Sequence, residues 1–221
     1  MSHPEPKTPL YPLLGIARHR IGIDGNGVTT LAAGAGCPLH CKYCINQEIL
    51  LRKPGSMISP GELLERVKID DLYFRATGGG VTFGGGESLL HAAFIRSFRK
   101  LCPLEWKIRA ETSLAVSKDN VRIAAAAVDE FIVDCKDLDP VRYFEYTGGD
   151  VSLMMDNLRL LLELVGPQRI IVRVPLIPGF NTVSDRDKNA RILRDMGFDK
   201  LDLFEYVTRK SNGNGDPPII F

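Results

Sequence analysis

Three cysteines stand close together in the stretch Gly36-Cys37-Pro38-Leu39-His40-Cys41-Lys42-Tyr43-Cys44, with the spacing C-x3-C-x2-C. Cysteines spaced this closely usually bind a metal through their thiolates. An iron–sulfur cluster normally takes four cysteine ligands, so three would leave one iron open to a ligand from outside the protein. Three protein ligands with an open position also describe a catalytic zinc site, and His40 as a fourth ligand would give a closed zinc site. The spacing alone therefore leaves a cluster and zinc both open.

The length and composition indicate a single globular domain. The chain has 221 residues, of which 44% are hydrophobic and 25% are charged, enough for one substantial core. Its net charge of +1 gives no electrostatic argument for nucleic acid or an anionic membrane surface. No apolar run approaches the roughly 18 residues of a membrane span. We therefore expect neither a nucleic-acid nor a membrane partner.

The remaining cysteines indicate a cellular compartment. Cys102 and Cys135 fall at a predicted helix end and in a predicted strand, where buried free thiols are expected. A disulfide framework is therefore not expected, which favours a reducing cytoplasm. Residues 1–7 lack the apolar core of a signal peptide, in agreement with a cytoplasmic location.

Strands and helices alternate along most of the chain. After a strand and hairpin turn over 18–28, apolar runs predict six strands at 29–35, 81–83, 107–112, 130–136, 169–181 (with its loop) and 200–205. Helices are predicted between them, including one opened by the capping box Ser59-Pro60-Gly61-Glu62 and one capped by Ser184. This order predicts an α/β fold, a parallel sheet forming a partial (β/α)6 TIM-like barrel. We expect an N-terminal extension over 1–17, the barrel domain over 18–209 and a C-terminal tail over 210–221.

A glycine-rich turn follows the second predicted strand. Residues 78–90 read GGGVTFGGGESLL and include that strand at 81–83. Three glycines at 84–86 then lead to a helix that starts near Ser88. Glycines at such a turn let the backbone approach a ligand closely, and the N-terminus of a helix can receive an anion. A P-loop is excluded because no Gly-Lys-Ser/Thr follows. The alternative is a tight turn with no ligand.

Charged residues stand at or near the ends of several predicted strands. They are Glu111 beside Thr112, Asp134 with Lys136, and Arg173 within an otherwise apolar run. Burying an unpaired charge is costly, so these residues are not expected in a purely apolar core. Because β/α barrels carry their chemistry at the carboxyl ends of the strands, we expect a site there. Arg173 would need a carboxylate or phosphate partner, and surface ion pairs are the alternative for each residue alone.

These motifs together resemble a known family. The cysteine loop resembles the C-x3-C-x-aromatic-C signature of radical S-adenosylmethionine (SAM) enzymes, with Tyr43 as the aromatic residue. Gly85-Gly86-Glu87 resembles their G-G-E motif. The strings Glu111-Thr112, Asp134-x-Lys136 and V-R-V-P-L-I-P-G-F-N over 172–181 resemble motifs of the enzymes that activate glycyl radical enzymes. The resemblance covers about residues 18–206, with the motifs in matching order.

The resemblance implies cofactors and the residues that hold them. Cys37, Cys41 and Cys44 would ligate a 4Fe–4S cluster and serve as the catalytic centre, with SAM chelated to the fourth iron. Reductive cleavage of SAM would then give a 5′-deoxyadenosyl radical that abstracts hydrogen. The implied SAM-binding residues are Tyr43, packed near the adenine, and Gly85, Gly86, Glu87, Glu111, Thr112, Asp134, Lys136 and Arg173. Some relatives also hold a monovalent cation near the acid–threonine pair.

The resemblance also implies partners. We expect an anaerobic activating enzyme that abstracts hydrogen from a glycine of a partner glycyl radical enzyme or peptide, with a flavodoxin- or ferredoxin-type reductant. No cysteine lies between Cys44 and Cys102, so the chain resembles the small, single-cluster type. The chain departs from the family where a His commonly follows strand six, because it reads Phe204-Glu205-Tyr206-Val207 there. Alternatives are a radical SAM enzyme that modifies a small molecule or ribosomal peptide, and a non-catalytic cysteine-metal binding module.

Overall fold

The computed structural model of the chain describes residues 8–50 and 56–206. The predicted C-terminal tail, Val207 and the first seven residues of the predicted N-terminal extension lie outside these residues. Within the described part, no helix has both the length and the apolar character needed to cross a membrane.

The described residues form strands and helices in alternation over most of their length. The strands are β1 Tyr11–Ile21, β2 Val28–Gly34, β3 Ser56–Ile58, β4 Gly80–Gly85, β5 Lys107–Thr112, β6 Glu130–Asp134, β7 Ile170–Leu176 and β8 Leu201–Glu205. The α-helices are α1 Gln47–Leu50, α2 Pro60–Val67, α3 Asp71–Thr77, α4 Ala92–Arg99, α5 Lys118–Ala125, α6 Pro140–Thr147, α7 Val151–Val165 and α8 Val183–Asp195. Short 3-10 turns cover Lys68–Asp70, Ser88–His91 and Pro167–Arg169.

The strands form one sheet in the order β3-β1-β2-β4-β5-β6-β7-β8. From β2 onward all neighbouring strands pair in parallel, whereas β1 pairs antiparallel with both β2 and β3. Six parallel strands connected through helices confirm the predicted partial (β/α)6 barrel. Their carboxyl ends meet at one mouth, and the register places Gly34 of β2 beside Gly85 of β4 there.

The sheet is wider at its start than the sequence predicts. β1 begins at Tyr11, so residues 11–17 of the predicted N-terminal extension lie in the sheet. The Tyr11 ring is fully buried, stacks on Phe94 at 4.9 Å and donates a hydrogen bond from its hydroxyl to Ala32 O at 3.0 Å. The three-residue strand β3 and the helix α3 were not predicted either. They contain too few residues for a clear periodic pattern.

Three local predictions need correction. The helix predicted to be capped by Ser184 is capped by Thr182, whose side chain accepts from Asp185 N while Asp185 bonds back to Thr182 N. The helix expected near Ser88 begins as a 3-10 turn, and α4 starts at Ala92. Strand β6 ends at Asp134, so Lys136 lies in the following loop. The capping box that starts at Ser59 is confirmed.

The core packs between the sheet and its helices, and it includes both cysteines outside the loop. Cys102 and Cys135 are buried free thiols, as predicted. Large aromatic side chains fill the space under the helices, among them Trp106, Phe74, Phe83 and Phe98. The Trp106 indole also donates to Asp71 Oδ1 at 2.7 Å, so its polar edge is satisfied.

The turn between β1 and β2 closes the barrel at the amino ends of the parallel strands. Buried Arg109 donates to Asn26 O at 2.8 Å and to Glu130 Oε2 at 2.9 Å. Arg173 reaches the same turn from inside the barrel and donates to Ile23 O at 2.7 Å. Gly25 lies between these groups with φ of 90°. The end of the barrel opposite the cysteine loop is therefore blocked by backbone and paired charges.

We expect Gly25→Ala to lower the free energy of unfolding by about 2 kcal/mol, because its positive φ disfavours a side chain. An added Cβ would also lie 2.7 Å from Glu130 Oε2 and 2.8 Å from Arg109 Nε. Urea unfolding of the cofactor-free chain measures the effect. The matched control is Gly61→Ala in α2, where an added Cβ meets nothing within 4 Å. Equal stability of the two variants would contradict the role given to this turn.

Candidate active site at the mouth of the barrel

The backbone of the cysteine loop is fixed on one side by the glycine turn after β4. Gly86 N donates to Gly34 O at 3.0 Å, and Glu87 N donates to Gly36 O at 2.8 Å. A Cβ on Gly86 would lie 2.2 Å from Gly36 O, so only glycine allows this approach. Asn46, just beyond the loop, donates from Nδ2 to Gly85 O at 2.9 Å. The two motifs recognised in the sequence are therefore joined by their main chains.

The other side of the loop is fixed by the last turn of α6. His40 N donates to Thr147 O at 2.8 Å, and Lys42 N donates to Tyr146 O at 3.0 Å. The final carbonyls of a helix lack partners within the helix, so the loop satisfies two of them. These two bonds flank Cys41. The helix then ends at Gly148, whose φ is 69°.

The three loop thiols are free and half-buried. Burial raises the pKa of Cys41 to about 11, with Lys136 lowering it and the thiols of Cys37 and Cys44 raising it. Burial is also the main cause of the raised pKa of Cys37, to which Cys44 contributes. Cys44 therefore raises, and Lys136 lowers, the pKa of both other thiols of the loop. Among residues 8–50 and 56–206, no group of three or more His, Cys, Asp or Glu side chains is arranged to hold one metal ion.

Lys136 places a positive charge beside this loop. Its Nζ donates to Asp134 Oδ2 at 3.0 Å and lies 5.8 Å from the centre of the Tyr206 ring. Burial lowers the pKa of Lys136, whereas Asp134, Cys41 and Tyr206 raise it. The second effect is larger, so the pKa of Lys136 lies above its usual value. The ammonium is therefore charged and stabilises negative charge on the loop sulfurs.

A second ion pair crosses the interior of the barrel. Arg173 donates from Nη1 to Glu111 Oε1 at 3.0 Å, and both side chains are less than one-fifth exposed. Asp134 Oδ1 lies 4.0 Å and Asp202 Oδ2 3.8 Å from the same guanidinium. The pKa of Glu111 is raised by burial, with Arg173 acting in the opposite direction. The carboxylate partner expected for Arg173 is therefore present within the protein.

The side chains of Glu87 and Thr112 are brought together, away from open solvent. Glu87 is buried, and its carboxylate accepts from Thr112 Oγ1 at 2.6 Å, from Ser113 N at 2.8 Å and Oγ at 2.6 Å, and from Leu89 N at 3.1 Å. Burial raises the pKa of Glu87, and the bonds from Ser113 and Thr112 oppose this. Glu87 thus ties the glycine turn to the end of β5. The Glu87 carboxylate is thus occupied within the protein, so a ligand contact from the Gly85-Gly86-Glu87 motif would come from its backbone.

Aromatic residues line the far side of the loop. The Tyr43 ring lies 5.6 Å from that of Phe180 and 6.1 Å from that of Tyr146. Tyr206 donates from its hydroxyl to Tyr43 O at 2.7 Å. Sequence reasoning did not select Tyr206 as a site residue. It also missed Asn46, and no local signal marks a residue whose partner is Gly85.

The described part of the chain has an opening beside the cysteine loop and another on the α8 side of the sheet. A cavity of about 390 Å³ borders the loop and is lined by residues 42–45 together with Gln47, Glu48 and Pro178. A larger one of about 640 Å³ lies between α8 and β8 and is lined by none of the predicted site residues. Of these two openings, the smaller has predicted site residues in its wall, Tyr43 and Cys44.

We expect Glu87→Gln to lower the free energy of unfolding by about 2 kcal/mol, because the amide nitrogen would face donors instead of accepting from them. Thermal or urea unfolding of the cofactor-free chain measures the loss. The control is Glu65→Gln on the exposed face of α2, where the carboxylate pairs only with Lys68 among the described residues. An unchanged stability of Glu87→Gln would show that these four hydrogen bonds do not support the turn.

Comparison with known proteins identifies relatives of this arrangement. Residues 32–193 match the radical SAM superfamily. The chain is 31% identical over 178 residues to an indoleacetate decarboxylase activating enzyme of Tractidigestivibacter scatoligenes. This match covers 75% of this chain and 55% of that protein. It is 29% identical over 191 residues to a pyruvate formate-lyase-activating enzyme of Clostridium pasteurianum. That match covers 84% of this chain and 78% of the relative.

A solved structure shares the fold. Streptococcus suis SuiB bound to S-adenosylmethionine superposes with a TM-score of 0.62 at 14% identity. The match covers 79% of this chain and 39% of that one. The chain therefore spans about half the length of the first relative and less than half of SuiB.

Proposed function

Because this chain belongs to the radical SAM superfamily, we propose that it activates a partner glycyl radical enzyme by abstracting hydrogen from a glycine of that partner. Two of its relatives are activating enzymes, which supports this reaction over the modification of a small molecule or ribosomal peptide. The observation that carries the proposal is the position of the cysteine loop. Its three free thiols are held at the mouth of a partial barrel beside Lys136, whose side chain is 12% exposed.

The donor set fits a 4Fe–4S cluster. Three free cysteine thiols from one loop are the ligand type that iron–sulfur clusters take, and they number one fewer than the usual four. His40, the alternative fourth zinc ligand, is exposed. Cys37, Cys41 and Cys44 would hold the cluster, and SAM would complete it. When bound, these groups supply a one-electron cleavage that yields a 5′-deoxyadenosyl radical able to abstract hydrogen.

The residues at the mouth fit the charges of SAM, which carries an amino and a carboxylate group. Lys136 offers a cation beside Cys41, and Arg173 offers a guanidinium deeper in the barrel. Glu111 and Asp134 offer carboxylates to the amino group or the ribose hydroxyls. These four charged side chains are already paired with one another. The charged groups of SAM would therefore replace ion pairs that already exist within the protein. Charge at the site is thereby balanced before binding.

The remaining implied residues support the site in other ways. Gly85 and Gly86 would offer backbone groups, since their lack of side chains lets a ligand approach, and Tyr43 would pack against the adenine. Glu87 and Thr112 would act indirectly, by holding the turn. A monovalent cation, if bound as in some relatives, would use Glu111, because the Thr112 hydroxyl is already bonded to Glu87 and Leu114 N.

The proposal includes the supply of electrons and the location. A flavodoxin- or ferredoxin-type protein would deliver the electron under anaerobic conditions in the cytoplasm. A net charge of +1 supports no role for nucleic acid.

Anaerobic reconstitution with iron, sulfide, dithionite and SAM tests the proposal. We expect about four iron atoms per chain and formation of 5′-deoxyadenosine. Cys41→Ala should lose both, because only two loop thiolates would remain. Cys102→Ala is the matched control, since its thiol is buried elsewhere in the core. Formation of 5′-deoxyadenosine by Cys41→Ala, or binding of zinc without cleavage of SAM, would contradict the proposal.

A second measurement separates the proposed substrate from the alternatives. The reconstituted chain is mixed with a purified glycyl radical enzyme that does not yet carry its radical, and electron paramagnetic resonance is used to detect a glycine-centred radical. Cleavage of SAM without that radical would instead support a small-molecule or peptide substrate.

We expect Lys136→Met to weaken SAM binding about tenfold or more, because a charge-assisted hydrogen bond contributes about 1.5–3 kcal/mol. Equilibrium binding of SAM to the reconstituted chain measures the change at equal iron content. The control is Lys118→Met, which removes an exposed ion pair with Asp156 on the helical surface. Unchanged affinity of Lys136→Met would remove this lysine from the SAM site.

A further inference from the structure

Three successive carbonyl groups lead into the cysteine loop, and each accepts a hydrogen bond from the segment that follows β4. Two of these bonds join main chains, at Gly34 O with a distance of 3.0 Å and at Gly36 O with a distance of 2.8 Å. The carbonyl between them, Ala35 O, lies 2.9 Å from Nε2 of the His91 ring. Because a carbonyl oxygen can only accept, Nε2 carries the proton and donates this bond. A side chain therefore holds the middle one of the three carbonyls.

The surroundings of His91 fix its ring and make its bond to Ala35 count. His91 ends the 3-10 turn that precedes α4, and its ring meets the Tyr11 ring edge to face with 5.1 Å between their centres. Ala35 is only 9% exposed, and its N donates to Pro12 O at 2.9 Å. Loss of the His91 donor would leave a buried carbonyl without this partner, which is unfavourable.

The bond from His91 acts on the entry to the first cysteine of the loop. Two main-chain bonds to α6 flank Cys41, whereas Cys37 follows directly on residues 34–36. A shift of the Ala35 peptide would therefore move the Cys37 thiol relative to the other two thiols. Groups outside the ligand set that orient the ligands affect how tightly a metal is held.

We propose that His91 is a positioning residue, whose hydrogen bond to Ala35 O holds Cys37 in place relative to Cys41 and Cys44 and thereby slows loss of the cluster. This role rests on the proposed function, because it requires a cluster on the loop. His91 itself neither reacts nor ligates iron. The role belongs to the N–H donor of the ring rather than to the volume of the ring, and substitution can separate the two.

The test uses two substitutions of His91. His91→Gln removes the ring but keeps an amide N–H that reaches about as far from the main chain as Nε2 does. His91→Phe keeps a ring that can pack against Tyr11 but has no donor. Each chain is reconstituted to equal iron content, and loss of iron to an added chelator is followed through the visible absorbance of the cluster. We expect iron loss from His91→Phe to be about fivefold faster than from the wild type, in keeping with one lost hydrogen bond, and His91→Gln to resemble the wild type.

A control separates this role from a general loss of stability. Arg169→Met removes donors to Ala125 O and Asp129 O, which lie at the end of the barrel away from the cysteine loop. It should lower the free energy of unfolding of the cofactor-free chain in urea and leave the rate of iron loss unchanged.

The possible outcomes distinguish this role from the proposed function. Faster iron loss from His91→Gln than from His91→Phe would assign the effect to packing of the ring and would overturn the inference. Equal acceleration by Arg169→Met would assign it to general destabilisation and would also overturn it. Unchanged iron loss from His91→Phe would overturn the inference and leave the proposed function standing. Absence of a cluster in the wild type would overturn the proposed function, and this inference with it.

Discussion

The site depends on hydrogen bonds between main chains that hold the cysteine loop in place. The loop has little regular structure of its own, so its shape is set by Gly36 O on one side and by the final carbonyls of α6 on the other. Gly86 is required because the backbones approach too closely for any side chain. Since Cys41 lies between His40 and Lys42, the two bonds to α6 fix its position. The fold therefore sets the backbone path of the loop, although the side chains of the described residues are not arranged around a single metal ion.

The sheet then arranges charge around that loop. The parallel register aligns Asp134 with Arg173, and Arg173 reaches Glu111 across the interior. Burial would be costly for any of these groups alone, but paired charges are tolerated. The turn between β1 and β2 closes the opposite end, where Ile23 O accepts from Arg173. The result is a barrel whose polar interior opens toward the cysteine loop.

The sequence was sufficient to predict strands and helices, whose patterns lie within one segment. It was insufficient to predict contacts between residues that are far apart in the chain. The six parallel strands could be predicted because each is a short apolar or alternating segment with a clear end, even β5 and β8, which carry charged residues. The hydrogen bonds that Glu87 accepts from Thr112, at the end of β5, and from Ser113, just after it, could not be predicted, because no local pattern reveals contacts between distant segments. The cap at Thr182 was missed for a smaller reason, since Thr182 and Ser184 are both good capping residues and only the reciprocal bond to Asp185 distinguishes them.

We propose that three thiols from the cysteine loop leave one iron of a cluster open and that SAM coordinates that iron. The most direct measurement is electron–nuclear double resonance of the reduced, reconstituted chain with SAM carrying ¹⁵N in its amino group. We expect a hyperfine coupling between that nitrogen and the cluster, because the amino group binds the open iron. A fully loaded cluster that shows no coupling to the labelled nitrogen would contradict the account.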